Sequence, residues 1–316
     1  DLFVYNPTGV GDQLNLSGLV SEGLGIKYAA LGYSQPIGVN GTRWEISMSR
    51  HLYEVRSGLS ALRLSGDGAT ADVGVRIPLV STPEENLTFG IWYSHTESNS
   101  NDGTGGATSV SRDKLNEIST GLNFDRTYAS GAFSAASLRY STNFKRNTDF
   151  DRADVTTDNA QLGKFEVSLS HSRPFIGNWL LLGRLNGVLS LGPLMEIERF
   201  RIGGPTSVRA FPSATEAGDA GYQFTLEFQR PFAIAVGVPV VFKTFFDTGL
   251  VYRMPEPREL SGESASTSLS ALGAGLRMSY AKNYTLDLEV ARPLSAHDTE
   301  SVFDGGQFWA TFSALF

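Results

Sequence analysis

Residues 222–229 read YQFTLEFQ, an unbroken alternation of apolar and polar side chains. Because successive side chains of a β-strand point to opposite faces, this stretch predicts a strand with one apolar and one polar face. The same period of two recurs along the chain in about fourteen segments, and no segment has the period of an amphipathic helix. Clear examples are residues 42–49, 71–79, 87–93, 117–125, 165–169, 242–247, 284–290 and 308–316. The sequence therefore predicts an all-β protein.

The composition agrees with a fold made of strands and turns. The 316 residues include 34 glycines, 11% aromatic residues and only 19% charged residues, with no cysteine, which excludes disulfides and cysteine-bound metals. The net charge of -7 argues against a nucleic-acid partner. No run approaches the roughly 18 to 20 apolar residues of a membrane-spanning helix. The first residues also lack the basic and apolar regions of a signal peptide.

The connections between the predicted strands alternate between tight and long. The tight connections are predicted at residues 35–40, 82–86, 126–130, 173–178 and 281–283. The long polar connections are predicted at residues 53–66, 98–112, 143–159, 191–220, 252–267 and 293–306. Tight turns at one rim and long loops at the other are typical of a barrel that crosses a bacterial outer membrane.

A soluble β-sandwich or lectin-like barrel would show the same alternation of side chains. Fourteen consecutive hairpin-connected strands would, however, require two stacked sheets with crossover connections in such a protein. The pattern favours a transmembrane antiparallel β-barrel, whose closure satisfies the backbone groups of the strand edges in lipid. Its water-filled interior can accept charged side chains of the polar face, namely Arg184, Glu227, Lys243 and Arg277.

Several motifs then resemble one family. Val208, Arg209, Ala210 and Phe211 match a Val-Arg-Gly-Phe/Tyr signature, within GGPTSVRAF at residues 203–211. GDAGY at 218–222, RPF at 230–232, FFDTG at 245–249 and NPTGVGDQLNLSG at 6–18 complete the pattern. The chain resembles the TpsB branch of the outer-membrane assembly-factor superfamily, the haemolysin activator/secretion proteins of two-partner secretion. The final strand, with Phe308, Phe312 and Phe316, resembles the C-terminal β-signal that the barrel-assembly machinery recognises.

This resemblance implies a sixteen-stranded barrel in the outer membrane of a Gram-negative bacterium. Residues 1–316 are then the C-terminal part of a longer protein, without its POTRA domains, its N-terminal helix and the first strand or two. Residues 191–220 are expected to be a long extracellular loop that folds into the lumen. The implied function is export of a large unfolded TpsA-like exoprotein of the adhesin, haemolysin or toxin type, without ATP. The expected protein is monomeric, contacts lipid, lipopolysaccharide and the assembly machinery, and has no enzymatic activity, cofactor, metal or nucleic-acid partner.

The resemblance also implies the residues of a site. Arg209 is expected to pair with Asp247, near Gly249, and so to fix the loop inside the barrel; a solvated loop arginine is the alternative. Gly218, Asp219 and Gly221 are expected to join the loop to its strand. Ala210 replaces the glycine of the family, which is tolerable if the backbone φ there is negative and strained if it is positive.

Other functions have weaker support. A barrel-assembly insertase of the same superfamily and a passive porin are both compatible with a barrel. A Ser/His hydrolase would need its two side chains on one face, whereas the neighbours in the SH and SHS segments at 94–95 and 170–172 point to opposite faces. The four histidines, at 51, 95, 171 and 297, lack metal-ligand spacing. The acidic segment at 148–158 favours a solvated loop over a calcium site.

Overall fold

The structure is a computed structural model, and it describes most of the chain. The described residues are 1–20, 27–54, 65–102, 109–150, 163–194, 198–235, 238–254, 265–281, 283–294 and 306–314. Phe316, His297 and residues 151–158 of the acidic segment lie outside these ranges. Among the described residues, no helix is both long and apolar enough to cross a membrane.

Seventeen strands are present in the described part of the chain. In chain order they are β1 Leu2–Tyr5, β2 Gln13–Val20, β3 Lys27–Pro36, β4 Arg43–Glu54, β5 Ser65–Ser81, β6 Glu85–Asp102, β7 Ser109–Thr127, β8 Phe133–Phe150, β9 Gly163–Phe175, β10 Trp179–Ser190, β11 Phe200–Ile202, β12 Glu216–Gly218, β13 Ala220–Ala235, β14 Val238–Tyr252, β15 Ser266–Tyr280, β16 Tyr284–Pro293 and β17 Gln307–Ala314. Fifteen of them form one sheet in chain order, and β11 and β12 form a separate two-stranded sheet.

This count agrees with the sequence pattern, because fourteen long strands follow the short β1. Strands extend into two of the predicted loops, residues 98–112 and 143–159: β6 continues to Asp102, β7 begins at Ser109 and β8 continues to Phe150. The apolar alternation stops before these strands end. Ladder hydrogen bonds join backbone groups, so a polar sequence can continue a strand beyond the apolar band. Residues 232–242 form a mainly apolar run in the sequence, and the structure divides it between two strands, since β13 ends at Ala235 and β14 begins at Val238.

The chain divides into two compact units. The first comprises Asp1–Ser81, Asn86–Asn123 and Arg139–Lys164, and the second comprises Thr82–Glu85, Phe124–Leu138 and Phe165–Phe316. In the first unit, the Trp92 ring occupies the space that a side chain at Gly74 or Gly90 would fill. The Arg139 guanidinium carbon lies 5.2 Å from the centre of that ring. The glycines of β5 and β6 therefore let an aromatic ring lie flat on the strands.

Each unit exposes apolar side chains along its strands. In the first unit Met48 is 52% exposed and Ile91 is 47% exposed, and in the second unit Leu272 and Val290 are each 55% exposed. On β14, by contrast, the alternate residues Lys243, Phe245, Asp247, Gly249 and Val251 are all buried. An exposed apolar face opposite a buried face that carries charges is the reverse of a soluble sheet, and it is the pattern of strands that face lipid.

The apolar core of the second unit lies between the β10–β13 connection and the sheet. It combines residues of that connection with residues of β14, β15 and β16: Ile202, Val208, Ala210, Phe211, Phe245, Val251, Leu269, Ala271 and Ala291. The connection is thus packed against strands far from it in sequence. We call the face of β13–β17 that it covers the polar face, which includes Glu227, Lys243, Asp247, Arg277, Asp287 and Glu289.

Candidate functional site

The connection between β10 and β13 has a defined backbone. Its strands β11 and β12 pair antiparallel, with Phe200 opposite Gly218. Gly203 and Gly204 follow β11 with φ of 103° and 106°, a region that L side chains rarely adopt. A Cβ at Gly204 would also lie 2.8 Å from the Ser213 hydroxyl oxygen. The Gly-Gly pair therefore allows the tip of the loop to reverse, and the Gly204 amide donates to the Phe211 carbonyl over 3.0 Å.

The predicted loop-strand junction is a tightly bonded corner. The Asp219 carboxylate is 1% exposed and accepts hydrogen bonds from the backbone amides of Leu194 and Met254, each over 2.7 Å. Gly218 packs so closely on β14 that a Cβ there would lie 2.7 Å from the Tyr252 carbonyl oxygen. Gly221 is as restricted, since a Cβ would lie 2.9 Å from the Phe200 ring. The corner thus joins both ends of the loop to β14.

The tip of the loop buries apolar side chains on the polar face. Val208 and Ala210 are fully buried and Phe211 is 2% exposed. Ile202 packs over Gly249, where a Cβ would lie 3.2 Å from its Cγ2 atom. Full burial of a side chain such as Val208 or Phe211 contributes about 1.5 to 3 kcal/mol. The Ala210 backbone is not among the positive-φ positions, so the alanine fits this position without backbone strain.

Arg209 lies at the centre of the site and is 4% exposed. It binds Asp247 with both ends of its planar fork, through Nε to Oδ2 over 2.8 Å and Nη2 to Oδ1 over 2.9 Å. Its Nη1 atom also donates to Glu227 over 3.0 Å and to Glu289 over 2.8 Å. One guanidinium therefore joins carboxylates from three strands, and such two-point contact favours a single orientation.

Two further contacts restrict Arg209. Its guanidinium carbon lies 3.2 Å from the centre of the Phe245 ring, so the cation stacks on an aromatic face. The Trp309 indole donates to the Arg209 carbonyl oxygen over 2.7 Å. The predicted pairing of Arg209 with Asp247 is thus present, together with partners on β13, β16 and β17 that the motifs did not indicate.

A second group of charges surrounds these carboxylates. Lys243 Nζ lies 2.7 Å from Glu289 Oε1 and 2.6 Å from Asp287 Oδ1. Arg277 donates to the other Asp287 oxygen from Nε and Nη2, over 2.9 and 2.8 Å. The network contains three cations and four carboxylates in all. Removal of Arg209 would leave two cations against the same four carboxylates, so the loop supplies a charge that the strands lack.

Glycines of β15 make the room for this network. A side chain at Gly273 would overlap the Phe245 ring, and a Cβ at Gly275 would lie 2.8 Å from Lys243 Cε. Neither glycine lies in one of the sequence motifs described above. The spacing Gly-x-Gly could have indicated them, because residues two apart on a strand share a face and two glycines there leave room for other side chains.

The charge of Arg209 is strongly favoured. Burial by itself lowers the pKa of a cation, but the hydrogen bond and negative charge of Asp247, the charge of Glu289 and the hydrogen bond to Glu227 outweigh it. The net effect is a raised pKa for Arg209. The guanidinium therefore remains ionised in the site.

The other predicted positions lie elsewhere. Phe308 and Phe312 of the β-signal are each 66% exposed on β17. In the first unit, the turn of the NPTGVGD motif is closed by Gly11, whose amide donates to Asn6 Oδ1 over 2.6 Å, and by Asp12, which accepts from the Tyr33 hydroxyl over 2.9 Å. No group of three or more possible metal ligands occurs among the residues that the structure describes.

Comparison with known proteins supports the family that the sequence motifs resemble. A family model, Haemolysin secretion/activation protein ShlB/FhaC/HecB, matches residues 1–278. The chain is 24% identical over 324 residues to the heme/hemopexin transporter protein HuxB of Haemophilus influenzae (strain 86-028NP), covering 99% of this chain and 56% of that protein. The chain spans about half the length of the curated relatives it matches.

Solved structures show the same fold. CdiB from Escherichia coli superimposes with a TM-score of 0.75 at 20% identity, over 99% of this chain and 58% of that one. BamA from Haemophilus ducreyi, lacking POTRA domains 1–3, gives a TM-score of 0.64 at 14% identity, over 99% of this chain and 66% of that one. These likenesses agree with the predicted antiparallel β-barrel, and the family is one of transport proteins rather than enzymes. The chain belongs to the ShlB/FhaC/HecB haemolysin secretion/activation family and is an outer-membrane β-barrel.

Proposed function

We propose that the chain forms the translocation pore of a two-partner secretion transporter, which exports an extended exoprotein to the cell surface without ATP. In this proposal, residues 191–220 are an extracellular loop that lies inside the lumen, and Arg209 keeps it there. The observation that carries the proposal is the buried guanidinium of Arg209, bound to Asp247, Glu227 and Glu289 on three strands.

The chemistry of the polar face suits the passage of an unfolded chain. Beside the tip of the loop is a cavity of about 630 Å³, lined by Thr206, Glu227, Gln229, Lys243, Arg277 and other mainly polar side chains. A surface lined by charged and polar side chains holds water, so an unfolded polypeptide gains less free energy by adhering to it than to an apolar surface. The exoprotein is therefore expected to contact the passage without binding to it tightly.

A secretion assay tests the role of the loop. A strain without the transporter gene would receive the full-length transporter as wild type, Arg209→Ala or Arg201→Ala, together with an epitope-tagged copy of the large exoprotein encoded beside that gene. Arg201 is a matched control because it is an exposed arginine of the same loop, on β11. We expect Arg209→Ala to accumulate as a folded, heat-modifiable barrel and to export at least about tenfold less exoprotein, the cost of a lost strong hydrogen-bonded ion pair. Normal export by Arg209→Ala would overturn the role assigned to the loop.

Two further measurements separate this function from its alternatives. An insertase would alter the amounts of other outer-membrane barrels when its gene is deleted, whereas a secretion pore would alter only export of its partner. A passive porin would show a large constant conductance in planar bilayers that is unaffected by deletion of residues 200–218. We expect the deletion to raise the conductance, because the loop fills part of the passage.

A further inference from the structure

A small groove opens at the tight-turn end of β8 and β9 in the second unit. It has a volume of about 350 Å³ and is lined by Tyr128, Ser130, Ala132, His171, Arg173 and Pro174. We call it the rim groove. Its turn is fixed by two backbone hydrogen bonds, Tyr128 N to Ala132 O and Gly131 N to Tyr128 O, each over 2.9 Å. The groove is thus a built feature between a rigid turn and β9.

The polar groups of the rim groove are arranged to meet an anion. His171 Nδ1 lies 2.9 Å from the Ser134 hydroxyl, so when Ser134 donates to Nδ1 the Nε2 atom carries the hydrogen and can donate. Arg173 is exposed, and it makes no hydrogen bond or ion pair with any residue that the structure describes. A guanidinium and an imidazole two residues apart on one face of β9 are suited to a phosphate oxygen.

The same face of β9 is apolar on the side away from the turn. Phe165 and Leu169 share the face of His171 and Arg173 because they are separated by even numbers of residues, and they are 40% and 43% exposed. Exposed apolar residues of an outer-membrane strand meet acyl chains. The order along this face is apolar residues, then His171 and Arg173, with Phe175, which is 41% exposed, at the end of the strand. As far as Arg173, this is the order of acyl chain and headgroup in a phospholipid.

The cation that would bind an anionic headgroup is Arg173. Arg126 stands 5.1 Å from the centre of the Tyr128 ring beside the groove, and its charge is paired with Glu85 over 3.4 Å. Arg173 makes no ion pair with a described residue, and the exposed Glu84, whose carbonyl accepts from the Thr127 amide over 2.8 Å, is a negative charge at the same rim. Basic side chains near a membrane surface attract anionic lipids. We propose that the rim groove binds the phosphate of an anionic phospholipid, whose acyl chain lies along Leu169 and Phe165; this binding is independent of the proposed export function.

Lipid titration of the purified full-length protein tests this proposal. Native mass spectrometry would measure retained phosphatidylglycerol for the wild type, Arg173→Gln, Arg173→Lys and Arg292→Gln. Arg292 is the matched control, since it is an exposed arginine on the lipid-facing side of β16, on the same face as Val290. We expect Arg173→Gln to weaken phosphatidylglycerol binding about fivefold, the effect of one surface cation, and Arg173→Lys and Arg292→Gln to retain it.

Competing probes identify the source of the phosphate. Phosphatidylcholine is expected to bind several times more weakly than phosphatidylglycerol, and millimolar inorganic phosphate is expected not to displace the lipid. Equal losses in Arg173→Gln and Arg292→Gln, or no loss in Arg173→Gln, would overturn the site. Equal binding of the two lipids would exclude an anionic preference, and displacement by inorganic phosphate would show a free-anion site instead.

Discussion

Replacement of Arg209 by methionine tests the energetics of the loop most directly. The substitution keeps much of the side-chain volume and removes the charge, which leaves the carboxylates of Asp247, Glu227 and Glu289 at 0%, 2% and 8% exposure without their shared cation. Removal of one partner from a buried ion pair costs about 3 to 5 kcal/mol. That cost shifts the equilibrium between docked and released loop by about two to three and a half orders of magnitude.

Residues 1–316 contain no cysteine, so a single introduced cysteine can report on the loop. Val208 is fully buried beside Arg209, so a Val208→Cys protein should react slowly with a maleimide reagent while the loop is docked. We expect Arg209→Met in that background to raise the labelling rate by the same two orders of magnitude or more, provided that loop opening precedes labelling. Arg201→Met is the control. An unchanged rate in Arg209→Met, or an equal rise in the control, would refute the reasoning.

Three other substitutions have expected outcomes. Gly273→Ala should destabilise the folded protein by about 1 to 3 kcal/mol in urea unfolding, because its methyl group overlaps the Phe245 ring, whereas Gly183→Ala, which meets nothing within 4 Å, should not. Ala214→Gly should stabilise the docked loop by roughly 1 kcal/mol and slow the same cysteine labelling, since Ala214 has a φ of 56°; faster labelling would contradict this. Burial by itself raises the pKa of Asp12, but hydrogen bonds from Tyr33 and Thr8 outweigh this effect. The net pKa of Asp12 is therefore below its ordinary value of 3.8. Its stabilising effect is then present above pH 3.8 and lost as the pH falls through the lowered pKa, so the difference in unfolding temperature between wild type and Asp12→Asn should close in acid; a constant difference would contradict this.

The sequence predicted the strands well because lipid exposure imposes a period of two on every strand. It predicted the ends of β6, β7 and β8 less well, since backbone pairing continues where apolar side chains stop. The pairing of Arg209 with Asp247 could be predicted because both residues lie in motifs. Glu289 and Trp309 could not, because their contacts with Arg209 depend on the register of three consecutive hairpins.

In the proposed export function the loop has to leave its docked position for the exoprotein to pass, and the charges around Arg209 are suited to both docking and release. Buried ion pairs add little net stability in a dry core, because both partners lose their hydration. Here Glu227, Lys243 and Arg277 also line the cavity beside the loop, so water can reach part of the network. Separation of Arg209 from carboxylates that can regain water therefore costs less free energy than separation from carboxylates in a closed core. The apolar contacts of Val208 and Phe211 then strengthen the binding of the loop to the polar face. The two-point contact of Arg209 with Asp247 selects one docked arrangement.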